Sequence, residues 1–343
     1  MSNILITGGA GFIGSQLAYK LCKQGYDIAI VDNMSYGHED NLKFDDINLS
    51  DYLINGDIRD TEMMESLFQS FKPDYVYNIA GIAPLPDCQS NPCEAVSVNV
   101  NGFVNILECS RKYGVKTVIQ ASTNAMYENE YRFPVYENFT ELPSLIYPNT
   151  KYCAERFAQS YCDTYGMNVC CVRFANVYGP HVDCLRKQPP FVGYIIRELY
   201  YNRTPVFHSD GKQSRDYIYV DDLTDLLCLV QKCKGFDAVN CTSGKSYSVN
   251  EIYDITQMIM GKNIPAEYAS PANYWKKYPK LYGGAYPISE ERLEHEVNKY
   301  SLCNNNHAKE KYGWNPSIDI AEGMKRMVEY QVKLFDEMNL KES

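Results

Sequence analysis

Tyr147 and Lys151 stand four residues apart at the head of a helical stretch that runs to about Tyr165, and residues at that spacing share one face of a helix. A phenol titrates near pH ~10 when free, and an ammonium beside it favours the phenolate. Such a pair can take a proton from a hydroxyl near neutral pH. On its own the spacing says little, since a chain with 30 tyrosines produces it often and a solvated helix face explains it as well. Thr123 ends the apolar run from Val115 through Ala121-Ser122, and its hydroxyl can share the proton of a bound alcohol.

A second group of residues gives that proton chemistry a partner. Ile4-Leu5-Ile6-Thr7 runs straight into Gly8-Gly9-Ala10-Gly11-Phe12-Ile13-Gly14 and then into Ser15-Gln16-Leu17-Ala18-Tyr19-Lys20-Leu21, apolar at helical spacing. Strand, glycine loop and helix succeed one another, which is how a pyrophosphate is held: backbone approaches closely, and the helix N-terminus faces the anion. Gly8, Gly11 and Gly14 form GxxGxxG. A second apolar run, Tyr26 to Val31, ends at Asp32, roughly 20 residues beyond the loop, where a carboxylate accepts from an adenosine ribose and repels the extra phosphate of NADP. NAD is therefore the expected cofactor. With hydride passing to a nicotinamide, Tyr147 becomes the base that removes the matching proton.

The elements that must position these groups alternate regularly. Asn33 to His38 is a polar turn over the adenosine side, and Asp51 to Gly56 a short strand leading to Asp57 and Ile58. Asp57 has two readings, a neighbour of the adenine together with Ile58 or the cap of the helix from Thr61. Asp74 to Gly81 is the next strand, whose small Ala80 and Gly81 let backbone approach phosphates and ribose. A helix from about Pro92 to Tyr113 carries Asn99-Val100-Asn101-Gly102 in its middle, so either it packs tightly on a neighbour there or Asn99 points into the site. Alternation of this kind argues for an α/β fold, a Rossmann-type doubly wound parallel sheet. Ligands bind beyond the carboxyl ends of such strands, where Gly8, Asp32, Gly81 and Thr123 all fall.

The order changes from about Gly193. A helix to Asn202, a short strand Pro205-Val206-Phe207 and helices from Asp222, Val249 and Ile320 predict a smaller C-terminal α/β lobe for the substrate. Residues 1–175 are the expected NAD-binding domain and 176–343 mainly the substrate lobe, with short returns to the first. Pro271 to Arg292, rich in tyrosine, proline and lysine without a period, reads as loop over the substrate. Ala83-Pro84-Leu85-Pro86-Asp87 faces the same cleft, and Asp87 offers a further acid or base.

Thr7 to Gly14, Ser122-Thr123 with Tyr127, Tyr147 with Lys151, Arg173 to Pro180 and Arg215 to Asp222 together resemble an extended short-chain dehydrogenase/reductase of the NAD-dependent epimerase/dehydratase group, over nearly the whole chain to Gly313-Trp314-Asn315-Pro316. The resemblance implies a bound NAD, a nucleotide-diphospho-sugar substrate and a homodimer paired through the helices Pro92–Tyr113 and Pro148–Tyr165. It assigns Tyr147 as acid/base, Lys151 as its electrostatic helper and ribose ligand, and Thr123 as hydroxyl partner. Asn99 and Asn176 would contact cofactor or sugar diphosphate, Arg215 would grip the diphosphate, and Arg292 is the second arginine, in surroundings that depart from the family pattern. The nucleobase would lie near Phe191 and Phe207, although Phe207 reads equally as core.

The two residues after Thr123 narrow the reaction. Sugar 4,6-dehydratases of this group carry Asp-Glu there, whereas this chain has Asn124 and Ala125, neither able to transfer the protons of an elimination. C4 epimerisation through a transient 4-keto sugar is the simplest remaining cycle. A 4-dehydrogenase or 4-keto reductase would use the same groups, and a silent NAD-binding regulator would not need them.

Composition bounds the rest. Hydrophobic residues at 45% and charged residues at 22% are ordinary for a globular protein, and no uncharged apolar run nears the ~20 residues of a membrane span. A net charge of −10 without basic clusters disfavours nucleic acid as partner. Thirteen cysteines, without a CxxC pair, read as reduced, packed thiols and with the lack of a leader point to the cytoplasm. No metal site is expected.

Overall fold

A computed structural model of the chain describes residues 2–186 and 189–342. Its strands are β1 Asn3–Thr7, β2 Asp27–Asp32, β3 Leu53–Asn55, β4 Tyr75–Asn78, β5 Thr117–Thr123, β6 Val169–Phe174, β7 Asn176–Tyr178, β8 Val206–Phe207, β9 Ser214–Tyr219, β10 Phe236–Cys241, β11 Ser246–Ser248 and β12 Glu267–Tyr268. Its α-helices are α1 Phe12–Lys23, α2 Thr61–Phe71, α3 Leu85–Ser90, α4 Pro92–Val96, α5 Phe103–Tyr113, α6 Ile146–Tyr165, α7 Phe191–Tyr200, α8 Val220–Leu229, α9 Val249–Met260, α10 Pro271–Trp275, α11 Glu290–Asn298 and α12 Ile320–Glu342.

Seven strands form one sheet in the order β10-β6-β5-β4-β1-β2-β3, every neighbouring pair parallel. Parallel strands need both faces covered, and β1, β5 and β6 are correspondingly buried along almost their whole length. α1 and α8 pack on one face, α2, α5 and α6 on the other. The chain winds outward from β1 to β3 and returns to β4 on the far side of β1. The crevice for a ligand therefore opens at the carboxyl ends of β1 and β4. β10 comes from beyond residue 175 and adds the outermost strand beside β6.

The smaller lobe builds on a three-stranded sheet, β11-β9-β7, and the pair β12-β8. Its core is formed by α7, α9 and α12 around Ile195, Ile252, Met324 and Phe335, and Phe12 at the head of α1 packs against it.

Three expectations change. The helix across Pro92–Tyr113 is continuous in direction but not in type: α4 passes through a π segment, Ser97–Gly102, into α5. A side chain on Gly102 would meet Ile58 Cδ1 at 2.6 Å, so the glycine accommodates a close neighbour. Pro271 to Arg292 is only in part loop, since between its turns it holds α10, a 3-10 turn at Pro279–Leu281 and the start of α11. Prolines at helix starts and tyrosines packed at irregular spacing hid the period. The cap of α2 is Asp60, which accepts from Met63 N at 3.0 Å, rather than Asp57.

Candidate active site

Beyond β1, Gly8 adopts φ +68°, and a Cβ there would lie 2.6 Å from Ala80 N. The turn is thereby pressed against the strand β4 that leads to Gly81. A Cβ on Gly14 would lie 2.2 Å from the Gly8 carbonyl oxygen, so helix and loop touch where no side chain fits. Gly11 precedes α1 without a side-chain cap, and the first turn holds no acidic residue. The orphan N–H groups of a helix start are thus left facing the crevice with their positive dipole uncompensated, which fits a pyrophosphate. Asp32 joins this loop to the next: its carboxylate accepts from Ala10 N at 3.0 Å and Met34 N at 2.8 Å, and burial pushes its pKa up. Asn33 donates to Asp57 at 2.9 Å, and Arg59 holds the Asp57 carboxyl down at about 2. Ile58 is turned away, buried against Gly102. Its side chain joins the apolar core, which offers more contact than a solvated groove.

Gly81, Ile13, Thr123, Tyr147 and Lys151 line one cleft of about 1300 Å³ that continues between the lobes to Asn176, Phe191, Phe207 and Arg215. Gly8, Gly11, Phe12, Gly14, Asp32, Asn33, Asp57, Ala80 and Asn99 are not part of that lining. Thr123 Oγ1 accepts from Ala125 N at 3.1 Å, and its hydroxyl hydrogen-bonds the Tyr147 phenol. Lys151, only 4% exposed, donates to Ala121 O at 3.0 Å, and a Cβ on Gly81 would come within 3.0 Å of its Nζ. Burial pushes the Tyr147 phenol up to about 12, against the pull of the Thr123 hydrogen bond. Burial pushes the Lys151 ammonium down to about 8. The protein's own groups thus leave the phenol well above neutrality, because burial is the largest influence on it and the Thr123 hydrogen bond offsets only part of that.

The Asn99 amide is spent inside the fold. It donates to Ile82 O at 2.9 Å and Thr150 Oγ1 at 3.0 Å, and accepts from Ile82 N at 2.8 Å. It braces the chain beyond β4 against the helix of Tyr147. Phe207 is core, in edge contact with Phe191 at 5.4 Å and Tyr253 at 5.2 Å between centroids, its rim at the cleft. Arg215 directs its guanidinium at the carbonyls of Glu296, Val297 and Lys299 at the end of α11. Asn176 donates to Asp216 O at 3.0 Å. Arg292 is outside the cleft lining and pairs with Glu128 at 2.5 Å.

A buried network that the sequence did not reveal supports the end of β5. Ser122 donates to Glu155 at 2.6 Å, Glu155 pairs with Arg173 at 2.6 Å, Arg173 donates to Tyr127 at 2.8 Å, and Tyr127 to Asn240 at 2.6 Å. Glu155 stands on α6, one turn beyond Lys151, the one local signal that it turns toward the same strand.

The sequence profile of the NAD dependent epimerase/dehydratase family matches residues 4–241. The chain belongs to this family. Among curated relatives, a putative UDP-glucose 4-epimerase of Methanocaldococcus jannaschii is 32% identical over 329 residues, 95% of this chain and 97% of the relative. A UDP-glucuronate 4-epimerase of Thermodesulfobacterium geofontis is 28% identical over 339 residues, 96% of each. The crystal structure of a UDP-glucose 4-epimerase of Thermotoga maritima with UDP-glucose superposes with a TM-score of 0.86 at 32% identity, covering 97% of this chain and 99% of that one. The family's cofactor is NAD, and the uncapped helix start and glycine packing of this epimerase/dehydratase member fit it.

Proposed function

We infer that this protein is a NAD-dependent nucleotide-sugar 4-epimerase, an isomerase of a hexose carried on a nucleoside diphosphate. The observation that carries the reading is the wall of the cleft around Thr123: threonine, tyrosine and lysine converge there, and among the described residues no carboxylate is free to drive an elimination. Asn124 donates to Ser301 at 3.3 Å and Ala125 has nothing to offer. The carboxylates in the cleft lining are Asp87, Glu128, Asp183 and Glu296. Asp87 is held by a phenol at 2.8 Å, Glu128 by Arg292 and two backbone N–H groups, Asp183 by two backbone N–H groups, and Glu296 by Lys299 at 2.6 Å.

Epimerisation asks for one proton removed and returned at one hydroxyl. Thr123 shares the hydrogen of the sugar O4, and Tyr147 takes it through its phenolic oxygen as the C4 hydride departs. Lys151 keeps an ammonium in the same dry corner, favouring the phenolate. When bound, NAD accepts and returns the hydride, and its pyridinium adds the positive charge that brings the phenol into working range. Tyr147 then hands the proton back when hydride reaches the other face of the 4-keto sugar.

Arg215 and Asn176 line the cleft between the lobes, which supports a diphosphate passing there, and Phe191 with the rim of Phe207 offers apolar surface to a nucleobase. The uridine nucleotides named for the relatives support a UDP-hexose. Residues 1–175 with β10 form the cofactor part on this reading, and the remainder the substrate part. A homodimer through α5 and α6 is supported by an exposed stripe on α6, and free thiols at all thirteen cysteines suit the reducing cytoplasm. No helix among the described residues is long and apolar enough to cross a membrane.

The test is direct. Purified protein, denatured to release its nucleotide, should yield NAD, and UDP-glucose monitored by proton NMR should give its C4 epimer without added cofactor. Tyr147→Phe should lower kcat by about 10²–10⁴-fold while NAD stays bound. Undiminished turnover in that variant, or turnover only with stoichiometric added NAD or NADH, would overturn the reading.

A further inference from the structure

The segment from α10 to α11 lines the cleft through Tyr274, Trp275, Tyr278 and Glu296 and packs against α3. Trp275, Leu281 and Leu293 form a small buried cluster, and Leu85 of α3, from the cofactor side, packs against it together with Tyr278. The same contact is marked by a single carboxylate. Asp87, on α3, accepts from the Tyr36 hydroxyl at 2.8 Å, and burial together with the nearby charge of Asp87 pushes up the pKa of the Tyr278 phenol in this strap. Tyr36 belongs to the turn just beyond Asp32 and Asn33, so the cofactor turn is tied to α3 through Asp87, and the strap packs on the same helix through Leu85. Tyr36, Asp87, Trp275 and Tyr278 all line the cleft. Trp275 is 3% exposed, yet its indole Nε1 has no hydrogen-bond partner among the described residues. An indole N–H donates only, and a buried donor without a partner is costly enough to ask for an acceptor.

We propose that Asp87 is a positioning residue which latches the strap onto the cofactor turn, and that the latched strap presents the Trp275 N–H to an acceptor oxygen of the bound sugar nucleotide. The proposal rests on the epimerase reading for the identity of that ligand. Asp87 acts through the strap and not on the reacting carbon. The Tyr36 phenol already donates to its carboxylate, which fits a positioning role. The substrate that fits is one whose sugar or ribose oxygen, an acceptor, faces α10.

The latch predicts a pattern across variants of the holoenzyme. Asp87→Ala should raise KM for UDP-glucose about tenfold or more, the worth of a hydrogen bond or two, with kcat changed less than about threefold, and should speed the loss of NAD on dilution. Tyr278→Phe, which removes one oxygen and no packing, should shift both in the same direction by less. Trp275→Phe should raise KM similarly but leave NAD loss unchanged. Because the strap of Asp87→Ala no longer presents the indole, adding Trp275→Phe to it should cost little more, a non-additivity that general destabilisation would not produce. The proposal is overturned if KM and NAD loss are unaltered in Asp87→Ala and Tyr278→Phe, if the double variant shows the full product of the single effects, or if Asp87→Ala instead lowers kcat about a hundredfold at constant KM, the mark of a group acting on the reacting atoms. NAD loss is read without turnover. A protein that failed to epimerise UDP-glucose would therefore count against the epimerase reading and still report on the latch.

Discussion

At the scale of single residues, Lys151 is the clearest case of function set against stability. Among the described residues its ammonium has a backbone carbonyl for a partner and no carboxylate, and burial lowers its pKa to about 8 from an ordinary ~10.4. A depressed folded-state pKa means the unfolded chain binds the proton first as pH falls through this window. Stability is therefore highest above the unfolded value and declines until pH falls below about 8, where the full cost, about 3 kcal/mol, is present. Lys151→Met should accordingly leave the NAD-free protein at least as stable as the parent at pH 7, by up to about 2 kcal/mol after the lost hydrogen bond is counted, with no advantage near pH ~10.5. Urea unfolding at the two pH values measures this. A variant weaker than the parent at pH 7 would show that the ammonium is not a burden. Catalysis is expected to collapse in the same variant, since the phenol raised to about 12 would lose the cation that shares its corner of the cleft.

At the scale of elements, the end of β5 is held by a charge pair beneath it. Arg173 on β6 and Glu155 on α6 meet at 2.6 Å, both almost wholly buried, and Ser122 hangs on the same carboxylate. Removing one partner strands the other in low dielectric, so Arg173→Met should cost about 3–5 kcal/mol. Replacing both by apolar residues, Arg173→Met with Glu155→Met, should restore most of it. Thermal unfolding of the single and double variants decides the matter, and a double variant as unstable as the single would mean that packing, not charge, is what the pair supplies. The interrupted helix at Ser97–Gly102 obeys the same logic of competing demands. Asn99 is drawn into a brace between the chain after β4 and α6, and Gly102 makes room for Ile58. Of the two readings that the sequence left open, the close contact at Gly102 supports tight packing, while the Asn99 amide is held by Ile82 and Thr150.

For the whole molecule, the unexplained surface is on α6. Cys153, Phe157, Tyr161 and Tyr165 recur every four residues along one face, with Phe157 43% and Tyr165 55% exposed. An apolar stripe of that kind on a helix marks an interface more often than a solvated face. Phe157→Glu should convert a dimer to a monomer in sedimentation while NAD remains bound, because the glycine loop, Asp32 and Gly81 gather at the carboxyl ends of the strands, away from this stripe. A parent protein that sediments as a monomer would remove the proposed pairing. The two lobes, by contrast, are already joined within one chain, through Phe12 packed on the smaller core and the strap of α10 and α11 packed against α3.

What the sequence determined by itself was local. Glycine spacing fixed a loop that no side chain could enter, four-residue spacing put Tyr147 and Lys151 on one face, and alternating apolar runs fixed a parallel sheet whose strand ends gather Gly8, Asp32, Gly81 and Thr123. Each comes from sterics or periodicity within a few residues. What only the tertiary structure decided depended on distant partners. Ile58 packed close to Gly102, Asp57 gave up the cap to Asp60 and took Arg59, Arg292 turned to Glu128, Phe207 joined a core, and the strap became helix in part, packed on Leu85. The protonation of Tyr147 belongs with these, because the desolvation that raises a phenol is set by everything packed around it, and no spacing along the chain records that.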